Sequence, residues 1–227
     1  MFILTEIRDT VALQPHTFGF EPTEVIAREL NKKYANRILQ DIGLVISVFD
    51  LTKCGEGKVR YGDGCLWYKV EFRLAVFRPF ISEVLIGKVK SQDEDGIRVT
   101  LTFFDEVHID KSQLPAPCAF DSSRQKFFWA AQMEPDTKRT ELMDSPFQER
   151  LYIELDAPIR FRVEGDEFYD DEPGPPKAAQ GAKYDLTVSK RPPYRIFASI
   201  AGQGMGPLEW WAGVGQADEQ NNEQMDE

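Results

Sequence analysis

Residues 66–77 read LWYKVEFRLAVF, and this stretch decides the fold of the first part of the chain. Apolar side chains recur at every second position from Tyr68 to Val76, whereas Trp67 and Lys69 fall on the opposite side. Such alternation is typical of a β-strand with one buried face. The stretch therefore predicts a long, half-buried strand that ends just before Pro79.

The segment before this strand has helical spacing. Ile26, Leu30, Tyr34 and Ile38 follow Pro22 at steps of four, which places them on one face of a helix. Proline suits the first turn of such a helix. The spacing therefore predicts one main helix that continues to residue 38.

Two shorter apolar runs supply further strands of the same domain. Residues 1–7 read as a short strand in which Phe2, Leu4 and Ile7 are the apolar positions between polar neighbours, and residues 44–49 read as a largely buried strand. The glycine-rich residues 53–64 read as a loop or hairpin end. The sequence thus predicts an α+β domain over residues 1–80, with one main helix on an antiparallel sheet.

After Pro79 the pattern changes to short strands. They are predicted at residues 83–89, 97–103, 107–109, 126–130, 151–163 and 194–201, with a turn at Asp93–Gly96. About six short strands with glycine and aspartate turns are typical of a small β-barrel such as the OB-fold. We therefore expect an all-β OB-fold barrel over residues 81–211, interrupted by a mobile Gly/Pro-rich acidic insertion at about 165–193 and followed by a disordered acidic tail at 212–227.

The net charge limits which partners the chain attracts. It carries 38 acidic and 27 basic residues, a formal charge of −11, so a phosphate backbone is repelled at long range. Any contact with nucleic acid must then be local. No apolar run is long enough to span a membrane, the start does not read as a signal peptide, and three scattered cysteines predict free thiols, all of which favour an intracellular protein.

The sequence contains few candidates for catalytic, metal-binding or phosphate-binding residues. A nucleophile–base arrangement would rest on His16 or His108, and a surface position on a strand explains His108 better. No metal-ligand spacing is present, so we expect no metal and no cofactor. Residues 202–206 read GQGMG but lack the following Lys-Ser or Lys-Thr, and a turn that packs against Trp210 and Trp211 explains them better than a phosphate site.

Basic and aromatic residues on the predicted barrel are the remaining candidates. OB-folds hold single-stranded nucleic acid by stacking bases on exposed aromatic rings while cations follow the backbone. Any single aromatic residue is nevertheless more often part of the core. The candidate RNA-binding residues are Lys88, Lys90, Arg98, Lys126, Phe128 and Arg160.

The order of these segments resembles a known family. Residues 2–4 (FIL), 30–36 (LNKKYAN), 62–64 (GDG) and 72–80 (FRLAVFRPF), leading into a barrel, resemble the larger stalk subunit of eukaryotic and archaeal RNA polymerases. Residues 204–211 (GMGPLEWW) and the acidic insertion look most like the RNA polymerase III version. The likeness covers residues 1–165 and 194–211. The family usually has glycine where this chain has Ser82.

The resemblance implies a non-catalytic nuclear subunit with a truncated ribonucleoprotein-like first domain. It would pair with a smaller stalk subunit, dock near the clamp of the polymerase core, work with initiation factors and contact nascent RNA through its barrel. For docking, the resemblance points to Arg78, Pro79 and Phe80. The open alternatives are a stalk subunit of another nuclear polymerase, a free-standing OB-fold RNA-binding factor and, least favoured, an enzyme with an appended barrel.

Overall fold

The computed structural model describes residues 1–134, 137, 139–169 and 191–211. Most of the expected insertion at 165–193, and all of the expected tail at 212–227, therefore lie outside the described residues. The chain divides into two compact units, one formed by residues 1–79 with 168–194 and the other by residues 80–167 with 195–227. No helix in the described ranges has the length and apolarity needed to span a bilayer.

The first unit is an antiparallel sheet with one helix on it. The sheet order is β1-β5-β3-β2, and β4 pairs with the start of β5. The central strand β5 is the stretch 66–77, as the alternation predicted. The elements are β1 (Phe2–Leu13), α1 (Pro22–Tyr34), β2 (Ile38–Leu39), β3 (Gly43–Cys54), β4 (Lys58–Val59) and β5 (Leu66–Phe77).

Helix α1 covers one face of this sheet. Val25, Ile26 and Leu30 are fully buried against the inward side chains of β5, which include Phe72 and Leu74. The alternation predicted the inward side of β5, and its residues Val70 to Val76 are buried at every second position. The prediction of one buried helix face from the spacing of four residues is therefore confirmed over residues 26–34.

The predicted extension of the helix to Ile38 is wrong. The chain becomes extended at Ala35, and Asn36 has a left-handed φ of 58° that ends the helix. The backbone amide of Asn36 then donates to the carbonyl of Val45 at 2.8 Å. Ile38 consequently lies in β2, opposite Leu44, because these backbone groups pair with β3 and no longer with the helix.

Strand β1 is longer than predicted, and only one of its three predicted apolar positions, Ile7, packs against the core. Phe2 and Leu4 are half exposed, at 51% and 49%, whereas Ile3 and Ile7 pack against the core under α1. Both sides of this strand carry apolar residues, so alternation alone could not distinguish the buried side. The face opposite α1 therefore exposes apolar side chains.

The second unit contains a closed five-stranded barrel. Hydrogen bonds connect the strands in the order β13-β8-β7-β6-β12, and β12 pairs with β13 to close the ring. Strands β8 and β13 are parallel, with Ile196 opposite Val107. The five strands and their connection are those of an OB-fold. The barrel strands are β6 (Val84–Asp93), β7 (Gly96–Thr100), β8 (Val107–Asp110), β12 (Pro158–Phe168) and β13 (Tyr194–Ser199).

A second, smaller sheet lies between the third and fourth barrel strands in sequence. The predicted strand at 126–130 belongs to it, as β10. The predicted single strand at 151–163 is wrong, because its first part pairs here and its later part joins the barrel. The elements are β9 (Cys118–Asp121), β10 (Lys126–Trp129), α2 (Arg139–Asp144) and β11 (Leu151–Tyr152), in the sheet order β11-β10-β9. A final short strand, β14 (Gly206–Pro207), pairs with β12.

Ser82 has a left-handed backbone in the turn before β6. Its φ is 68°, in the region that favours glycine, and its amide donates to the carbonyl of Val163 at 2.7 Å. A side chain in this conformation is strained by roughly 1–2 kcal/mol. The turn thus favours glycine at this position.

We predict that Ser82→Gly stabilises the second unit. Glycine relieves the strain but gains freedom in the unfolded chain, so the net increase in unfolding free energy should be about 0.5–1 kcal/mol. Urea unfolding of the purified full chain measures it. Ser82→Ala is the matched control, because alanine keeps the strained conformation and should give no gain; equal gains from both variants would contradict the explanation.

Candidate nucleic-acid interface

The barrel strands separate inward from outward side chains by alternation. On β6, Leu85 and Val89 point into the barrel core and are buried, whereas Lys88 and Lys90 are exposed. On β7, Ile97 and Val99 are buried and Arg98 is half exposed. The predicted cations of these two strands therefore share the outer surface of the barrel.

Strand register and alternation place four of the predicted cations on the outer side of the barrel. Lys88 lies opposite Thr100 of β7 on one side and opposite Pro158 of β12 on the other. Arg160, two residues beyond Pro158 on β12, lies opposite Ile86. Arg98 lies opposite Ser91. Lys88, Lys90, Arg98 and Arg160 therefore form one outer surface, named here the barrel cation face.

Acidic neighbours neutralise part of the barrel cation face. The ammonium of Lys90 lies 2.6 Å from one carboxylate oxygen of Asp105. The other oxygen of this carboxylate accepts a hydrogen bond from the Thr100 hydroxyl at 2.5 Å. The hydrogen bond from Lys90, followed by that from Thr100, lowers the pKa of Asp105. Arg98 faces Glu106 at 3.8 Å. Within the described residues, Lys88 has no ion pair.

Arg160 is held by the glycine-rich turn. Its Nη1 donates to the carbonyl of Gly204 at 3.2 Å. At Gly206, which has a φ of 98°, a Cβ would lie 2.9 Å from the ring of Trp210. The indole N–H of Trp211 donates to the Met205 carbonyl at 2.9 Å. The predicted turn that packs against both tryptophans is therefore confirmed.

Lys126 and Phe128 do not lie on the barrel cation face. They belong to β10 of the small sheet, where the Lys126 ammonium is hydrogen bonded to Glu154. The ring of Phe128 is 0% exposed and packs with Ala119 and Leu142. Phe128 therefore cannot stack on a base, and its prediction as an RNA ligand is corrected: α2 covers the side of β10 that alternation left open.

Two of the three predicted docking residues are structural. The Arg78 amide donates to the Met1 carbonyl at 3.1 Å, and its Nη1 donates to the Asp41 carbonyl at 2.6 Å. Pro79 is buried. Phe80 is 58% exposed, and its amide donates to the Glu83 carboxylate at 2.9 Å. Arg78 and Pro79 thus contribute to the fold, and the docking role of residues 78–80 stays a prediction.

The sequence missed a more exposed apolar surface in the first unit. On the sheet face opposite α1, Phe2, Leu4, Ile46 and Phe49 are exposed. The guanidinium of Arg73 lies 5.4 Å from the ring centroid of Phe49 and pairs with Asp50. Two of the three bulges of β3 fall at Ile46 and Phe49, and they have no clear signal in the sequence.

Metal-binding clusters are absent from the part of the chain that the structure describes. His108 lies on the outer side of β8, as expected, with its Nε2 3.3 Å from Asp110. The described residues contain no group of three or more His, Cys, Asp or Glu side chains that could hold a metal ion. The three cysteines are free, and burial raises the pKa of the Cys118 thiol to about 12.

Comparisons with known proteins match both units. Residues 83–211 match the family model "RNA polymerase III subunit Rpc25", and residues 8–64 match "SHS2 domain found in N terminus of Rpb7p/Rpc25p/MJ0397". The chain is 39% identical over 211 residues to the DNA-directed RNA polymerase III subunit rpc8 of Schizosaccharomyces pombe, which covers 93% of this chain and 100% of the relative.

Two further relatives extend this similarity. The RNA polymerase III subunit RPC8 of Bos taurus is 37% identical over 212 residues, covering 93% of this chain and 98% of the relative. The archaeal RNA polymerase subunit Rpo7 of Saccharolobus solfataricus is 35% identical over 112 residues, which is 49% of this chain and 62% of the relative.

The two kinds of docking residue can be separated by stability. Arg78→Ala removes the hydrogen bond to Asp41 and the contact of the guanidinium with Phe168, at 5.4 Å from its ring centroid. We expect it to lower the unfolding free energy by about 1–2 kcal/mol. Phe80→Ala, at an exposed site, should change it by less than about 0.5 kcal/mol. Thermal unfolding of the purified chain measures both, and equal effects would refute this division.

Proposed function

The chain belongs to the Rpc25 family of RNA polymerase III subunits, and from that premise we propose that it is a non-catalytic stalk subunit of that polymerase. It pairs with a smaller stalk subunit and docks on the polymerase core near the clamp. It aids initiation together with initiation factors and contacts nascent RNA through its barrel, and it works in the nucleus. The observation that carries this proposal is the presence on one chain of both matched units, the helix-on-sheet unit and the OB-fold barrel.

The barrel cation face supports the RNA contact. The second and third strands of an OB-fold, here β7 and β8, commonly form its nucleic-acid surface. Arg98 lies on this pair of strands and Lys88 on the neighbouring β6, both pointing outward. Because Lys90 and Arg98 face Asp105 and Glu106, the attraction for phosphate is modest. A contact of this strength suits a transcript that the polymerase already holds nearby.

The first unit supports docking through a different surface from residues 78–80. Its sheet face opposite α1 exposes Phe2, Leu4 and Phe49, and contiguous exposed apolar side chains mark interaction sites. Charged rows next to them are already paired across strands, such as Arg8 with Glu71 at 3.1 Å. A docking partner at this face would therefore gain apolar burial without having to supply charges to those rows.

Purification of the tagged full chain from its source cells tests the proposal. Co-purifying subunits are identified by mass spectrometry. We expect RNA polymerase III core subunits together with one smaller partner. Recovery of another polymerase alone would overturn the assignment to polymerase III. Recovery of free RNA or ribosomes without polymerase would support a free-standing RNA-binding factor in its place.

Charge reversal on the barrel tests the RNA contact. In the assembled polymerase, Lys88→Glu combined with Arg160→Glu should lower crosslinking of the chain to nascent RNA several-fold, because both changes add negative charge to one face. Lys126→Glu is the matched control: this lysine lies on the small sheet beside Glu154 and should leave crosslinking unchanged. If the control lowers crosslinking, or if the double variant does not, the RNA contact lies on another surface.

A further inference from the structure

The small sheet of the second unit presents an exposed arginine stacked on aromatic rings. Arg124 lies in the turn between β9 and β10, and its guanidinium carbon is 4.2 Å from the ring centroid of Phe147 and 5.2 Å from that of Tyr152. The two rings are 5.5 Å apart. Arg124, Phe147 and Tyr152 are named here the Arg124 cluster. Phe147 is 52% exposed, so the cluster reaches solvent.

Asp121 anchors the turn that carries Arg124. This aspartate is buried, and its carboxylate accepts a hydrogen bond from the backbone amide of Ser123 at 2.9 Å. The hydroxyl of Tyr152 donates to the same carboxylate at 3.2 Å. The turn and the aromatic floor of the cluster are therefore fixed to one another through one side chain.

Arg150 anchors the segment that carries Phe147. Its Nη2 donates to the carbonyls of Met143 and Ser145, at 2.6 and 2.7 Å, and its Nε donates to the Ser145 hydroxyl at 3.1 Å. The same guanidinium lies 5.0 Å from the ring centroid of the buried Phe128. Phe147 is consequently held in place before any partner arrives, which reduces the entropy lost on binding.

Arg124 differs from Arg150 in what its nitrogen atoms contact. Within the described residues, the guanidinium of Arg124 makes ring contacts and forms neither a hydrogen bond nor an ion pair. A stacked guanidinium keeps its N–H groups at the edge, where they match a carboxylate or phosphate in a bidentate arrangement. Arginine and tyrosine beside an exposed aromatic ring are also the residue types that dominate binding energy in protein interfaces.

The surrounding charges favour a protein over a nucleic acid. The helix before Phe147 and the turn that contains it carry three acidic residues, Glu141, Asp144 and Glu149, against one basic residue, Arg139. A phosphate backbone with its repeated charges is repelled by such a segment. A single carboxylate next to an apolar side chain avoids most of that repulsion. The carboxylate can accept hydrogen bonds from Arg124 while the apolar side chain packs on Phe147.

We propose that the Arg124 cluster is a docking site for a protein segment in which an Asp or Glu stands next to an apolar side chain. The carboxylate accepts two hydrogen bonds from Arg124, and the apolar side chain packs on the exposed part of Phe147 and on Met143, which is 38% exposed. This site goes beyond the proposed stalk function and does not depend on the barrel cation face or on the first unit.

Site-specific crosslinking in cells tests the site. The photo-crosslinking amino acid p-benzoylphenylalanine replaces Met143 in the full chain, and crosslinked peptides are identified by mass spectrometry. We expect one polypeptide segment that contains a carboxylate beside an apolar residue. Arg124→Glu should lower the crosslink yield about tenfold, as loss of a dominant interface residue does. Arg124→Lys should lower it less, because lysine keeps the charge but loses the stacked fork.

Controls separate binding from folding. Arg28→Glu, an exposed charge reversal on α1, should leave the crosslink yield unchanged, and the thermal unfolding midpoint of Arg124→Glu should stay well above the temperature of the crosslinking experiment. Replacing the partner's crosslinked carboxylate by arginine should restore the yield with Arg124→Glu. Crosslinks to RNA alone, no crosslinked polypeptide, or equal yields with and without Arg124→Glu would each overturn the proposal.

Discussion

The pairing of β13 with both β8 and β12 is the constraint on which the second unit depends. Without this strand the remaining barrel strands form an open sheet, and the ring closes only when residues far apart in sequence, such as Val107 and Ile196, meet. Such contacts cost chain entropy that local contacts do not. In return, closure buries one side of every barrel strand and fixes the register that brings Lys88 and Arg160 onto one outer surface.

Closure of the barrel fixes the positions of the outward side chains, but it does not make the outer surface strongly basic. Asp105 and Glu106 lie beside Lys90 and Arg98, so two of the three outward cations of β6 and β7 have an acidic neighbour. Exposed ion pairs of this kind contribute little to stability. Their larger effect is on recognition, since each one reduces the local potential that a phosphate backbone would meet.

The sequence predicted an element correctly where apolar and polar residues fall on clearly different sides of it. Strand β5 was predicted in full because apolar and polar residues alternate along it, and α1 because its apolar residues recur every fourth position. The buried side of strand β1 could not be predicted because Phe2 and Ile3 are both apolar, and only the position of α1 distinguishes them. Phe128 was misassigned for a related reason: α2 covers that side of the small sheet, and nothing in residues 126–130 indicates this cover.

The two candidate arginines also differ in a way that the sequence does not reveal. Arg78, which the resemblance points to for docking, donates one hydrogen bond to the carbonyl of Asp41, whereas Arg124, which no motif marks, is stacked on two rings and donates no side-chain hydrogen bond within the described residues. An arginine whose donors are satisfied within the chain stabilises the fold and has little left for a partner. An arginine held by its ring contacts alone keeps its donors for a partner and has already lost much of its side-chain entropy. Because residue type is identical in the two cases, the hydrogen-bond partners decide which one can bind, and these appear only in the folded structure.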